Sequence, residues 1–251
     1  MSATFKCQVS TYQQFVPRGD DGWRRTTQEF SANHTAVVVM HAWAPPPPDQ
    51  LLGWHRAVPY MRDATEVLPQ VFPSLLTAVR DQGLPVFHVT GCGPDATPAE
   101  PAVPTDPTWE SLHEFCQNHV FPGAANLTDI STGRETRHIA PEAAALPGEG
   151  TAETPAALHE LCQARGINHL IYIGFAINWC LLMSPGGMVD MKRYGYLCST
   201  IAEAVVAVEN EVTEPHRIEY HQALWRVAVE FGFVFHHREF IAALSNSKTV
   251  I

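Results

Sequence analysis

A parallel, doubly wound α/β sheet of five or six short strands is the fold class this sequence predicts, and two observations carry that expectation. Short apolar runs rich in branched and aromatic residues, TAVVVM at 35–40, LPVFHV at 84–89 and LIYI at 170–173, suit strands covered on both faces. They alternate with segments of helical period that end at glycine, the rhythm of strand and crossover helix. At 251 residues a chain of this class need not split. The expected organisation is an N-terminal arm over 1–34 and one α/β domain over 35–251.

Residues 1–34 are polar and mixed, with RGDDGWRR at 18–25, and show no clear period, so an arm lying on the domain or on a neighbouring subunit is expected. The strand at 35–40 runs into His41, Ala42 and Trp43 before Pro45 to Pro48 end any ladder pairing. Ligands collect at the carboxyl ends of strands in open parallel sheets, which puts His41 where chemistry is expected. Residues 50–60 read as an ordered loop. Over 63–82, Val67, Val71, Leu75, Leu76 and Val79 fall at helical spacing, and Pro69 and Pro73 predict that the regular helix begins near Pro73.

The second strand, 84–89, carries His88 near its end. The proline-rich stretch 91–133 predicts one helix, 109–118, and a run that long walls a pocket or meets a partner. Residues 137–140 read as a third strand, 141–151 as a loop, and 153–165 as a helix with Gly166 just past its end. Ser184, Pro185, Gly186 and Gly187 interrupt the helical segment after Cys180. The pattern closes with a strand at 196–201, an amphipathic helix at 215–231 with Ile218, Leu224, Val227 and Phe231 inward, and an edge strand at 233–235.

The stretch 168–209 organises the rest, because a buried strand ending at Gly174 is followed by Asn178 as helix N-cap and Cys180 in the first turn. A helix N-terminus favours thiolate, the form that attacks carbonyl carbon, and its N–H groups can hold an oxyanion. The other five cysteines, Cys7, Cys92, Cys116, Cys162 and Cys198, form no C-x-x-C spacing and read as reduced thiols.

Sixteen basic against twenty-six acidic residues give a net charge of -10, which argues against nucleic acid or an anionic membrane as partner. No apolar run is long enough to span a bilayer and the first residues lack the apolar core of a signal peptide, so a cytoplasmic location is expected. The G-C-G at 91–93 lacks a third glycine and no G-K-[ST] occurs, which argues against a nucleotide cofactor. Trp43, Trp54, Phe87, Trp109 and Trp179 supply aromatic side chains for a pocket that suits a small neutral or ring-bearing substrate.

The segment GFAINWCL at 174–181 resembles the G-x-A-T-N-x-C-V signature of the isochorismatase-like cysteine hydrolases, TAVVVMHAW is similar to that family's first strand, and RYGY at 193–196 resembles its link into the fifth strand. The resemblance covers roughly residues 35–240. It implies a three-layer α/β/α fold, dimers or tetramers, and hydrolysis of C–N bonds in small amides by a Cys–Asp–Lys triad. It assigns the nucleophile to Cys180 and a cis peptide to Ala176–Ile177, with Trp179 in the same oxyanion region.

Two triad positions depart from the pattern. His41 stands where the aspartate is expected, and the chain's lysines are Lys6, Lys192 and Lys248 alone. Lys192, twelve residues beyond Cys180, lies about 18 Å along a continuous helix. Arg137 and His138 occupy the region the resemblance gives to the lysine, but a guanidinium cannot shuttle protons at neutral pH.

Two readings follow. In one, His41 is the base for Cys180, with Glu142, Glu149 or Glu153 orienting it or positioning water, and with Trp43, His88, Trp109, Arg137 and His138 around the pocket. In the other, the chemistry is gone and the fold persists as a binding or assembly module. No metal is expected, because H-A-W replaces the D-x-H of nicotinamidase-like relatives and neither His55 nor His88 falls at a metal-binding spacing.

Overall fold

The computed structural model describes residues 3–15, 17, 19–91, 104–246 and 248–249; Cys92, Gly93 and the first part of the proline-rich stretch lie outside these. Among the described residues nine strands form one sheet: β1 (Ala3–Gln13), β2 (Gly22–Ser31), β3 (Thr35–Met40), β4 (Val86–Val89), β5 (Gly150–Ala152), β6 (His169–Phe175), β7 (Leu197–Val206), β8 (Val234–Phe235) and β9 (Lys248–Thr249). The order is β2-β1-β8-β7-β6-β3-β4-β5, with β9 paired to β1. From β8 to β5 all neighbours are parallel, whereas β1 pairs antiparallel with β2, β8 and β9. The sheet is doubly wound and mostly parallel.

Its two faces bury separate apolar clusters. One packs Val37, Val39, Ile171 and Ile173 beneath α2 (Met61–Asp81) and α9 (His237–Ser245). The other packs Val38, Met40, Leu170 and Tyr172 beneath α5 (Pro155–Ala164), α7 (Met188–Arg193) and α8 (Ile218–Arg226). All seven residues of β6 are buried, as its unbroken apolar run requires.

Several expectations change. The N-terminal segment expected as an arm is a hairpin built into the sheet: Phe5, Cys7 and Val9 alternate into the core, and Phe5 packs edge-on against Phe240. The hairpin covers β8, which is therefore internal rather than an edge. Residues 50–60 contain a helix, α1 (Leu52–Ala57), rather than only a loop.

Helix α2 starts at Met61 and runs through both prolines. Pro69 and Pro73 face solvent, while eight residues from Met61 to Val79 are buried along the opposite stripe. Burial at about 1.5–3 kcal/mol per large side chain outweighs a cost of about 3 kcal/mol per interior proline. Ile218, expected inward, is 44% exposed because the inward face of its helix begins at Tyr220. The helical path then widens to a π-turn at Val227–Phe231, which still buries Val227 and Phe231.

The third strand is also relocated. Residues 137–140 make one antiparallel bridge, Trp43 to Ile139, flanked by Ala44 N–H to His138 O and Ala140 N–H to Ala42 O. The third parallel strand of the crossover series is β5, only three residues long and lacking an apolar run. The stretch expected to hold one helix, 109–118, holds α3 (Pro107–His119), capped by Asp106 accepting from Trp109 N–H, and α4 (Leu127–Thr136).

A charged cluster pins β5's approach. Glu149 accepts from the Arg80 guanidinium at 2.8 and 3.0 Å, from His88 Nε2 at 2.8 Å and from Leu146 N–H at 2.9 Å. Burial raises the Glu149 pKa, but these donors together outweigh it and hold the group at about 2. Because the folded value lies below the unfolded value of 4.5, its stabilisation is present above that pH and is lost as pH falls toward 2. Glu149→Gln should lower stability at pH 7 by about 2–3 kcal/mol and make stability less sensitive to acid over that window, measured by urea unfolding at each pH.

Candidate active site

Parallel register aligns the carboxyl ends of the central strands. Met40 stands opposite Gly174 on one side and Val89 on the other, and Val89 stands opposite Ala152. The residues that follow, His41, Gly91, Glu153 and the turn leading to Cys180, therefore share one edge.

His41 sits in a tight turn at φ 51, its N–H on Val89 O at 3.1 Å and its own carbonyl accepting from Trp43 N–H at 2.7 Å. Left-handed backbone is uncommon outside glycine but histidine is among the residues enriched there. The imidazole is buried, and its Nε2 donates to Gly91 O at 2.8 Å. A carbonyl can only accept, so Nε2 carries the hydrogen and Nδ1 the lone pair. Desolvation, opposed by the Gly91 bond and assisted by the positive charge of Arg137, lowers its pKa to about 4. The ring is neutral at pH 7.

Gly91 is pressed against the main chain of Glu153: a Cβ there would stand 1.9 Å from Glu153 O. Only glycine lets β4 leave the sheet at this point, and the close approach links the His41 acceptor to the residue that follows β5.

Beyond β6 the cis bond is Phe175–Ala176, one residue earlier than the resemblance implied. Trp179 N–H and Leu181 N–H both reach Ala176 O, while Ile177 N–H bonds Val206 O. Asn178, expected as an N-cap, instead brackets Val208, with its side-chain amide on Val208 O and its side-chain carbonyl accepting from Val208 N–H, each at 2.9 Å. Trp179 is the N-cap residue, without a side-chain cap. Cys180 opens α6 (Cys180–Met183), a single turn that ends before Ser184. Four residues align few peptide dipoles, so this helix contributes less to an anion than a long one would.

Cys180 is half-buried, whereas Cys7, Cys162 and Cys198 are buried and desolvation pushes each of their thiols up to about 12. Cys116 is exposed on α3. Among the described residues no hydrogen bond joins Cys180 to His41. His88 lies under α2 in the Glu149 cluster, away from this edge. Trp109 is 41% exposed and stacked on His113, and Phe87 is core. Neither lines a described cavity.

Two cavities have lining residues from this edge, and the corner between α1 and α2 lines the first. One of about 420 Å³ is walled by Trp179, the residue before Cys180, with Tyr60, Phe121, Ala207 and Glu209. The other, about 250 Å³, is walled by Trp43, Trp54, Met61, Arg137 and His138. Trp43 stacks on His41 at 5.6 Å, and Arg137 lies over Trp43 at 4.9 Å. Of the proline-rich stretch 91–133, Phe121 lines the first cavity and Gly133 the second.

A cysteine hydrolase from Pseudomonas syringae pv. phaseolicola 1448A superposes with a TM-score of 0.55 over 86% of this chain and 94% of its own, at 16% identity. An isochorismatase-like hydrolase from Alkaliphilus metalliredigens gives 0.50 over 84% and 98%, at 13% identity. The chain has the isochorismatase-like fold. No protein-family model matches the sequence, and no curated protein matches it significantly.

Within this isochorismatase-like sheet, the lysines lie elsewhere or outside the described side chains. Lys6 pairs with Glu29 on the hairpin, and Lys192 donates to Glu230 O beside Phe231. No group of three or more His, Cys, Asp or Glu among the described residues is placed to hold a metal ion. No described helix is long and apolar enough to cross a membrane.

Proposed function

We propose that the protein is a cysteine hydrolase acting on the C–N bond of a small amide, with Cys180 as nucleophile. The observation that carries this reading is the placement of one half-exposed thiol at the carboxyl edge of the central strands, while the three buried thiols stay protonated.

His41 fits a positioning role better than that of an imidazolium partner. Charging it at pH 7 runs against a pKa held at about 4, a penalty of roughly 3 kcal/mol relative to an ordinary histidine. The place the resemblance gives to the lysine, the close of the third parallel strand, is Glu153 once that strand is β5. Of the three glutamates considered, Glu149 is committed to Arg80 and His88, and Glu142 lies in a turn outside the sheet. Glu153 is exposed at the shared edge.

In this scheme Glu153 takes the thiol proton as Cys180 Sγ attacks the amide carbonyl. The C–N bond breaks, the amine leaves with that proton, and water hydrolyses the thioester to the acid, restoring the thiol. Main-chain N–H groups of the 176–181 turn other than those of Ile177, Trp179 and Leu181, which bond Val206 O and Ala176 O, receive the oxyanion. Dimers or tetramers, and a cytoplasmic location, belong to the same proposal.

A second reading, a binding module without chemistry, is favoured by one observation: neither Cys180 nor His41 lines either of the two cavities at this edge. The two part on rates. In a hydrolase, Glu153→Gln lowers ammonia release from small primary amides by about 10²-fold or more, and iodoacetamide labels Cys180 at least ~10-fold faster than exposed Cys116. Equal labelling rates without ammonia release would establish the module. Loss of rapid labelling on His41→Ala with Glu153→Gln unaffected would restore the cysteine–histidine dyad.

A further inference from the structure

We propose that the cavity walled by Trp43, Trp54 and Arg137 is a binding site for a small planar carboxylate. The half-buried Arg137 guanidinium lies 4.9 Å over the Trp43 ring, and among the described residues no carboxylate pairs with it, in a chain whose net charge is -10. An aromatic face satisfies one side of a guanidinium and leaves its N–H edge for a planar, two-oxygen acceptor. Trp54, 8% exposed, holds its indole Nε1–H buried without a hydrogen-bond partner among the described residues.

The walls explain the planarity. Two indoles and Pro45 to Pro47 enclose about 250 Å³, at the small end for ligand pockets, which admits a single ring carrying one charged group. A phosphate is the weaker candidate, because one guanidinium without a glycine-rich backbone cradle is a poor match for a dianion. The cavity reaches the catalytic edge through the stacked Trp43 and His41 rings. Its role as the anchor for the substrate's acid group rests on the hydrolase reading; the binding itself does not.

Isothermal titration with sodium benzoate and with benzamide tests this. Benzoate should bind the wild-type protein at least ~10-fold more tightly than benzamide, with quenching of tryptophan fluorescence. Arg137→Gln should remove that preference, Arg137→Lys should keep part of it, and Cys180→Ser should leave it unchanged. Equal affinity for the two probes in the wild type, no saturable binding of benzoate, or a preference that survives Arg137→Gln would overturn the proposal. Benzoate binding without ammonia release would fail only the hydrolase; ammonia release without benzoate binding would fail only this site.

Discussion

Cys180→Ser removes amide turnover, by about 10³-fold or more, equivalent to roughly 4 kcal/mol of transition-state stabilisation. The size of the effect follows from the absence of a stand-in among the described residues. Cys7, Cys162 and Cys198 are sealed in the core with thiols at about 12, and Cys116 projects from the exposed α3. A hydroxyl at the same position is a much weaker nucleophile without an adjacent strong base, and His41 at about 4 is not one. Stability should hold to within about 0.5 kcal/mol, since the residue is half-exposed and serine is close in volume. Ammonia release and thermal melting, measured on the same preparation, check both halves.

Gly174→Ala has the largest expected effect on folding. Gly174 adopts φ +123 where β6 passes the end of β3, and a Cβ there would lie 1.8 Å from Met40 O. That oxygen belongs to main chain between two parallel neighbours, so it cannot give way without opening the ladder that brings His41 and Cys180 to one edge. The cost should exceed about 4 kcal/mol, enough to lower the melting temperature by about 10 °C or leave the chain insoluble. Gly148→Ala is the control, because its φ is +91 with nothing within 4 Å of the added carbon. It should cost about 1–2 kcal/mol, the price of left-handed backbone alone.

The central strands were legible because their apolar runs are unbroken. TAVVVM and the run ending at Gly174 announce β3 and β6, and with them Cys180 and His41 at the sheet's carboxyl edge. β5 was not legible: Gly150–Ala152 has no hydrophobic run, and it is a strand only because Val89 and its neighbours offer a partner. That one relocation moves the proposed third site position from Arg137 to Glu153. The hairpin did leave a signal, the alternation of Phe5, Cys7 and Val9 with Lys6 and Gln8, but three apolar residues in a polar segment fall short of a strand until β8 pairs with Ser10. His41's commitment to Gly91 O spans fifty residues of sequence, and local spacing carries no trace of it.

Mass spectrometry of the protein quenched in acid during turnover of a small amide tests the role of Cys180 most directly. The expected result is an acyl adduct on the peptide containing Cys180, formed before steady state and absent from Cys180→Ser. Ammonia release that proceeds undiminished in Cys180→Ser, with no adduct on that peptide, would contradict the assignment of this cysteine as nucleophile.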